Sequence, residues 1–234
     1  EQYRPYMNEI TKHLIDFGYP PCEGNIMVSN PFWCKTVSEY KNETKRWIEA
    51  PDMQNYMDLA IFFDSFAVAG DKDLLINLKD DLFNKLHDKD VFMAYFAKAT
   101  LTFDTPNTIA NFMTKSHNID IKKAAVFPIV QGIRSLALRE KIRETTTVKR
   151  IKILEEKKIL ERSKAAELLE AFDVVNTLRL KAQLDDIQDN KEVNNEIDTH
   201  TLGKIERDLL KDSFKIVIEF KKFINYTFRI DKIS

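Results

Sequence analysis

Apolar side chains recur along much of the chain at intervals of three and four residues, which is the spacing of one face of an α-helix. The chain opens with a clear example, in which Tyr6, Ile10, Leu14 and Phe17 share a face and Gly18 ends the helix. Only 5 glycines and 7 prolines interrupt the chain, which leaves long stretches for further helices. The predicted helices cover residues 3–17, 35–50, 55–69, 72–87, 89–103, 106–116, 128–143, 147–157, 163–184 and 201–228.

Two segments depart from the helical pattern. Residues 25–30, NIMVSN, are β-prone and lie between turn signals, so they predict a short strand. Residues 185–200 are polar without periodicity and predict a loop. A lone strand leaves its edges unpaired, so we expect its partner strands to lie upstream of Glu1. The fold is therefore expected to be mainly α, with a C-terminal helical bundle over residues 72–234 and a small α/β part over residues 1–71 before it.

Composition and charge exclude several classes of protein. With 234 residues of which 44% are hydrophobic, the chain can bury a substantial core. Its 36 basic and 37 acidic residues give no general attraction for nucleic acid or an anionic membrane. No apolar segment approaches the roughly 18 residues that span a bilayer, and the histidines lack metal-ligand spacing. Cys22 and Cys34 cannot form a disulfide framework, so we expect a cytoplasmic protein. From the charge balance and the lack of a long apolar segment, we expect it to bind neither nucleic acid nor membrane.

A single carboxylate interrupts the most apolar stretch of the chain. Asp64 is the only charge in LAIFFDSFAVA, residues 59–69. An isolated buried charge is costly, so either a basic residue of the bundle pairs with Asp64 or the carboxylate belongs to a site with a shifted pKa. The pairing is the commoner of these two arrangements.

The longest predicted helix carries polar side chains on a face that is otherwise apolar. Arg179 and Gln183 continue the stripe of Phe172, so an arginine points where the core is expected. A buried pair with Glu206 or Asp173 would make this arginine a structural device. Alternatively, the guanidinium group forms the floor of a pocket that recognises a planar or anionic ligand.

A pair of lysines precedes the predicted helix at residues 128–143. Lys122 and Lys123 stand where helix amides point outward and can add to a phosphate site. Gln131 and Arg134 share one face of the helix that follows. A solvated charge pair is the simpler interpretation of the two lysines, but lysines and arginines from three helices also form a coherent site for a triphosphate.

Several stretches, taken in order, resemble a known family. Two look like the end of the nucleotidyltransferase domain of bacterial CBS-domain and cyclic-nucleotide-binding signalling proteins, namely GYPPCEGNIMVSNPFWCKTVSEYKNETKRWIE and MDLAIFFDSFAVAGD. Four more resemble the helical substrate-binding domain that follows it, namely DIKKAAVFPIVQGIRSLAL, TTTVKRIKILEEKKIL, LLEAFDVVNTLRLKAQL and LGKIERDLLKDSF. The resemblance covers nearly the whole chain. A weaker one extends to PII uridylyltransferase and glutamine-synthetase adenylyltransferase.

This resemblance implies that a nucleotidyl group passes from a nucleoside triphosphate to a hydroxyl group of a protein or a small molecule. In the family, two Mg²⁺ ions serve this reaction, held by an Asp-x-Asp pair on a strand behind a Gly-Ser loop. The resemblance places the end of the transferase domain at residues 1–71 and the substrate-binding bundle at residues 72–234.

The resemblance also assigns residues to a site. Lys122 and Lys123 fall on the family's basic segment, and polar residues of the bundle fall on its recurring polar positions. The predicted nucleotide- or substrate-binding residues are Lys122, Lys123, Arg134, Arg150, Arg179, Gln183 and Asp64.

The chain departs from the family's pattern in ways that bear on catalysis. The Gly-Ser loop and the strand-borne Asp-x-Asp pair are missing, and we expect them upstream of Glu1, together with CBS or cyclic-nucleotide-binding sensor domains. Ala124 and Ala125 replace glycines that follow the basic segment, and Phe66 replaces the arginine of F-F-D-x-R. The chain alone is therefore expected to be inactive.

Two functions fit these departures. One is the substrate-side part of a regulated nucleotidyltransferase that acts on a protein. The other is a non-catalytic regulatory or dimerisation module whose chemistry has decayed. Phe220, Phe223 and Ile224 suit a homodimer seam as well as a core. Nucleic-acid binding by VKRIKILEEKK is disfavoured, because Glu155 and Glu156 interrupt its positive charge.

Overall fold

Helices dominate the computed structural model, which describes residues 3–106 and 118–233. The α-helices are α1 (Arg4–Asp16), α2 (Val37–Glu49), α3 (Met53–Asp64), α4 (Lys72–Lys85), α5 (Asp90–Lys98), α6 (Phe127–Arg139), α7 (Thr147–Glu156), α8 (Arg162–Gln188) and α9 (Lys204–Phe228). The shorter elements are a 3₁₀ turn (Ala99–Leu101), β1 (Asn118–Asp120), a π-helix (Lys122–Val126), β2 (Glu196–Asp198) and a second 3₁₀ turn (Ile230–Lys232). The prediction of a mainly α fold is confirmed.

Local chemistry explains where several helices begin. At α2, the hydroxyl of Thr36 accepts a hydrogen bond from the backbone N–H of Glu39, and the Glu39 carboxylate accepts one from the backbone N–H of Thr36. This reciprocal arrangement is a capping box, and its hydrogen bonds lower the pKa of Glu39. The side chain of Asp52 caps α3, and Pro128 occupies the first turn of α6, where its missing N–H costs nothing.

The core of the bundle forms around α8 and α9, which pack against each other in antiparallel directions. Ion pairs join Lys164 to Glu219 near one end and Lys181 to Glu206 near the other. Helices α5 and α6 pack on α9, and α7 packs on α6 and α8. One hydrophobic cluster extends from Trp47 of α2 to α9 and beyond. The cluster therefore includes residues on both sides of position 71. The division into two domains at that position stays a prediction.

Helices α6 and α9 approach each other closely at Gly132 of α6. A Cβ atom at this position would lie 2.5 Å from Cε1 of Phe220 and 3.1 Å from Cγ1 of Ile224. Phe220 and Ile224 are buried in this contact. Both belong to the core of the bundle, so the core interpretation of these two residues is the one that the structure bears out.

The strand predicted at residues 25–30 is wrong, because the structure forms turns there. Asn25 has a φ angle of +53°, and the side chain of Asn30 donates a hydrogen bond to the Asn25 carbonyl at 2.8 Å, which closes the segment into a loop. The segment is β-prone but pairs with no strand in the described part of the chain. Its apolar side chains instead line an open groove against α3 and α4.

The sequence pattern predicts neither of the two strands, because it assigns no element to the segment of β1 and a loop to the segment of β2. β1 and β2 pair in antiparallel directions, with Ile119 opposite Ile197. β2 falls inside the predicted loop at residues 185–200, which is corrected accordingly. Strands of three residues are too short to show the alternation that identifies a strand from sequence.

The ends of two helices also differ from the predictions. The helix predicted at 55–69 ends at Asp64, and Phe66 and Val68 beyond it are exposed. Helix α1 is confirmed, but none of its residues is buried. The helix predicted at 106–116 lies outside the residues that the structure describes, apart from Pro106. Within the described residues, no helix combines the length and the apolar character that a bilayer crossing requires.

Candidate functional site

Asp64 binds two arginines that lie 70 and 86 positions further along the chain. One oxygen of its carboxylate accepts hydrogen bonds from Nε and Nη2 of Arg134, at 2.8 and 2.6 Å. The other oxygen accepts one from Nη1 of Arg150, at 2.7 Å. The carboxylate at the end of α3 thereby joins α6 to α7, and the pairing of Asp64 with basic residues of the bundle is confirmed.

Hydrogen bonds within the bundle hold Arg134 in place. Its Nη1 donates to Oε1 of Gln131 at 2.6 Å, and Nε2 of Gln131 donates to the carbonyl of Phe96 at 3.0 Å. Gln131 is buried, so this chain of bonds fixes the guanidinium group from the core side. The expectation that Gln131 and Arg134 share a face is confirmed.

Arg150 is more deeply buried, with a side chain only 1% exposed. Its Nε donates to the carbonyl of Glu144 at 2.5 Å, and its guanidinium carbon lies 4.5 Å from the ring centre of Phe63. Its Nη2 atom has no hydrogen-bond partner among the described residues. Burial lowers the pKa of Arg150, and Asp64 opposes that shift.

A third cation, Lys79, lies close to the same carboxylate. It is 3% exposed, its Nζ donates to the carbonyl of Ser65 at 2.6 Å, and it lies 5.7 Å from the ring centre of Phe63. Burial, and then the positive charge of Arg150, lower the pKa of Lys79 to about 8. Two arginines and one lysine therefore lie around the carboxylate of Asp64, and the carboxylate of Glu144 acts on Arg150 and Lys79 as a second negative charge.

The lowered pKa of Lys79 predicts how stability changes with pH. The ordinary lysine pKa is 10.5 and the folded value is about 8, so between these values the unfolded chain binds the extra proton. The free energy of unfolding is therefore expected to rise with pH above about 8, as the buried ammonium loses its charge. The charged groups that act on Lys79 are Arg150, Asp64, Glu144 and Arg143.

Urea unfolding at a series of pH values from 8 to 10 tests this prediction, with Lys79→Met as the matched variant. The Met variant is expected to lose most of the rise, because it keeps most of the apolar stem and removes the titrating group. Burial also lowers the pKa of Lys221, and that smaller contribution stays in the variant. Burial raises the pKa of Tyr40 and Tyr56 to about 12. Ionisation of these two tyrosines lowers the free energy of unfolding only above about pH 10, outside the pH range of the experiment. A rise of the same size in the variant and in the parent chain would contradict the assignment to Lys79.

The other predicted polar residues of the bundle lie in a second place, at β1 and β2. Nε of Arg179 donates to Oδ1 of Asn195 at 2.7 Å, and Nε2 of Gln183 donates to the carbonyl of Asn194 at 3.1 Å. The carbonyl of Asn195 accepts the backbone N–H of Ile121 at 3.0 Å. Arg179 and Gln183 therefore fasten the segment that leads into β2 to helix α8, and the Asn195 carbonyl joins that segment to the chain just before the two lysines.

The carboxylate partners that the sequence suggested for Arg179 are wrong. Glu206 forms its ion pair with Lys181, at 2.6 Å, and Asp173 is exposed. Helix α8 extends to Gln188, which brings the returning polar segment over the face that carries Arg179. An amide oxygen of that segment takes the place of a carboxylate.

Lys122 and Lys123 are both exposed and lie within the π-helix that precedes α6. Nζ of Lys123 lies 3.0 Å from a carboxylate oxygen of Asp120, and the other oxygen accepts the backbone N–H of Lys123 at 2.9 Å. One outward amide that was expected to favour an anion is thus already bonded. Lys122 forms no ion pair with any described residue.

The predicted site residues therefore fall into two groups. The arginine cluster consists of Asp64, Arg134 and Arg150. The basic segment consists of Lys122 and Lys123, beside Arg179 and Gln183. The α-helical residues from Phe127 to Arg134 alone, at a rise of about 1.5 Å per residue, separate the groups by about 10 Å along the axis, and the π-helix adds to this distance.

Comparison with protein families decides what this bundle is. Residues 90–228 match the family described as "putative nucleotidyltransferase substrate binding domain", and residues 1–54 match the family described as "putative nucleotidyltransferase". The chain belongs to the nucleotidyltransferase substrate-binding-domain family. Both predicted groups contribute residues to the substrate-binding segment, and Asp64 lies between the two matched segments. No curated protein and no solved structure matches the chain.

The metal pair of a nucleotidyltransferase does not fit the described residues. Among them, no group of three or more histidine, cysteine, aspartate or glutamate side chains is arranged to hold a metal ion. Asp71 and Asp73 have Asp-x-Asp spacing, but the carboxylate of Asp71 caps α4 by accepting the backbone N–H of Asp73 at 2.9 Å.

Lys79 lies beside the arginine cluster but is not among the site residues predicted from sequence. A signal for it exists, because Lys79 follows Leu75 by four positions and precedes Leu82 by three. That spacing places the lysine on the apolar face of α4. The backbone carbonyls of Ser65 and Glu144, which accept from Lys79 and Arg150, leave no trace in the sequence.

Proposed function

We propose that the protein carrying this chain transfers a nucleotidyl group from a nucleoside triphosphate to a hydroxyl group, in the manner of PII uridylyltransferase. In this proposal the helical bundle binds the nucleotide or the acceptor, which is a protein or a small molecule. The supporting observation is that the substrate-binding family match spans the exposed basic segment, in the same chain as a nucleotidyltransferase match.

The basic segment is the part of the bundle best suited to phosphate. The ammonium group of Lys122 is exposed and forms no ion pair with a described residue, so a phosphate can bind it without breaking an existing bond. Lys123 can share its charge between Asp120 and a ligand. Charge-assisted hydrogen bonds of this kind are about twice as strong as neutral ones. In the arginine cluster, by contrast, the guanidinium groups of Arg134 and Arg150 are already bonded to the carboxylate of Asp64.

The remaining parts of the proposal come from the family resemblance. They are a nucleoside triphosphate with Mg²⁺, upstream CBS or cyclic-nucleotide-binding sensor domains, a cytoplasmic location and a homodimer as a further option. The described residues supply neither the paired carboxylates nor the Gly-Ser loop, so the chemical step is assigned to the protein that carries this chain.

A non-catalytic regulatory module is the second candidate function. Ala124 and Ala125 are 5% and 0% exposed within the π-helix, and the hydroxyl of Thr105 donates to the Ala124 carbonyl at 2.7 Å. This segment is a packed helix, with two buried alanines where the family resemblance implied glycines. Phe66, which replaces the family's arginine, is 68% exposed and supplies no charge.

Replacing Lys122 and Lys123 together by alanine is expected to weaken nucleotide binding at least tenfold, because two charge-assisted contacts of about 1.5 kcal/mol or more are lost. Binding of fluorescently labelled ATP and UTP, followed by anisotropy, measures this. The thermal midpoint is expected to stay unchanged, since both side chains are exposed. Lys157 and Lys158, an exposed lysine pair at the end of α7, provide the matched double-alanine control.

Unchanged affinity in the Lys122/Lys123 variant, or an equal loss in the control, would remove the basic segment from the site. Transfer itself is tested in the natural-length protein with labelled UTP or ATP, Mg²⁺ and a lysate of the host. Label on a protein supports the transferase. Nucleotide binding without any transfer supports the regulatory module.

A further inference from the structure

A cavity of about 320 Å³ opens where the turn between α7 and α8 meets the first turns of α8 and the middle of α9. Its buried floor consists of Leu160, Leu168 and Phe220, and its partly buried walls consist of Ile159, Ile216 and Phe223. Small-molecule sites typically have volumes of about 300 Å³ or more and an apolar lining with a few polar groups. The size and lining of this cavity fit that description.

Acidic side chains dominate the rim of the cavity. Glu161, Glu167 and Glu219 line it together with a single ammonium group, that of Lys164. Nζ of Lys164 lies 3.1 Å from a carboxylate oxygen of Glu167 and 3.0 Å from one of Glu219. Lys164 therefore neutralises part of the charge of Glu167 and Glu219, Lys222 acts on Glu219 from outside the lining, and Glu161 adds a further carboxylate. The mouth of the apolar cavity keeps a net negative charge.

The walls of the cavity are held in place by the surrounding chain. Lys158 has a φ angle of +59°, and the backbone N–H groups of Ile159 and Leu160 both donate to the carbonyl of Leu154, at 2.9 and 3.2 Å. On the opposite side, the rings of Phe220 and Phe223 are stacked with their centres 6.3 Å apart. The shape of the cavity is therefore present before any ligand binds.

This cavity is separate from the basic segment. Lys164 and Arg179 are both on α8, and a rise of about 1.5 Å per residue places them about 22 Å apart along the helix. The two places also carry opposite charge, since the basic segment attracts anions and the acidic rim repels them. The nucleoside triphosphate of the proposed function is therefore not the occupant.

We propose that the cavity binds a small molecule with an apolar, ring-sized body and a protonated amine. The body covers Leu160 and Leu168 and contacts the rings of Phe220 and Phe223, which removes apolar surface from water. The ammonium group lies at the rim, where it supplies the positive charge that the glutamates lack. This inference does not depend on nucleotidyl transfer, and the site is expected to bind its ligand even if the basic segment binds no nucleotide.

Three probes of one shape and different charge test the inference by isothermal titration calorimetry on the full chain. They are tryptamine, which is a cation, 3-methylindole, which is neutral, and indole-3-acetate, which is an anion. Tryptamine is expected to bind with 1:1 stoichiometry and at least tenfold more tightly than indole-3-acetate, with 3-methylindole between them. Failure of tryptamine to bind at millimolar concentration, or equal affinities for the cation and the anion, would overturn the inference.

Two variants locate the binding. Glu219→Lys is expected to weaken the binding of tryptamine at least tenfold and to strengthen the binding of indole-3-acetate. The control Glu170→Lys, at an exposed position on α8 outside the cavity, is expected to leave both affinities unchanged. Ile216→Trp fills the cavity from its wall and is expected to abolish binding of all three probes. Thermal unfolding confirms that each variant is folded. Tryptamine binding that survives both Glu219→Lys and Ile216→Trp would place the amine elsewhere and overturn the inference.

Discussion

Replacing Asp64 by asparagine is expected to lower the free energy of unfolding by about 3 kcal/mol, because among the described residues it removes the one negative charge paired with Arg134 and Arg150. Breaking a buried ion pair from one side typically costs about 3–5 kcal/mol, since the remaining charge stays buried. The lower end of that range applies here, because the Asp64 side chain is 28% exposed and water can partly replace it. Urea unfolding followed by circular dichroism measures the change.

Asp80→Asn is the matched control for this prediction. Asp80 also pairs with an arginine, Arg143, but their side chains are 41% and 53% exposed. Surface pairs of this kind contribute about 0–1 kcal/mol, so the control is expected to change stability little. Equal losses in the two variants would mean that the contacts of Asp64 do not hold the bundle together.

The second large effect is expected from Gly132→Val. A Cβ atom at position 132 would lie 2.5 and 2.8 Å from the ring of Phe220, closer than carbon atoms can approach. Valine adds two further methyl groups against the same ring and is a poorer helix former than alanine. Overpacking of a core costs about 1–3 kcal/mol, and the upper end applies to valine. Chemical unfolding of the variant and the parent chain measures the loss.

A double-mutant cycle identifies the cause. If Phe220 is the clash partner, Phe220→Leu makes room, and the double variant loses less stability than the sum of the two single changes. Simple addition of the two losses would contradict a direct contact between α6 and α9 at this position. The matched smaller change, Gly132→Ala, is expected to cost less than valine, because the gain in helix propensity of about 1 kcal/mol offsets part of the clash.

The helices were predictable from sequence because their apolar positions repeat over many turns. The spacing of Tyr6, Ile10 and Leu14 predicted α1 within a residue or two at each end, and the isolation of Asp64 in an apolar run predicted its pairing. The pattern does not show which residues far apart in the sequence lie close together in the fold. Nothing in the sequence indicates that Arg134 and Arg150 meet the same carboxylate, because that depends on how α3, α6 and α7 pack.

The errors in the sequence predictions have a common physical origin. The β-prone residues of segment 25–30 and its flanking turn signals predict a strand, but a strand forms only beside a partner, and propensity for strands depends on context. For Arg179, the sequence suggests a carboxylate partner, whereas the partner in the structure is the amide oxygen of Asn195. In both cases the outcome was decided by which backbone or side chain arrived from a distant part of the chain.

The short pairing of β1 with β2 has a consequence for the order in which the protein folds and opens. It closes a loop of about 80 residues, and closing a loop of this length costs entropy that three residue pairs hardly repay. We expect this ladder to form after α6, α7 and α8 have packed, and to open before them. The amide hydrogen of Ile121, bonded to Asn195, should then exchange with solvent sooner than amides in the middle of α9. The basic segment would be released at each opening, while the arginine cluster stays assembled.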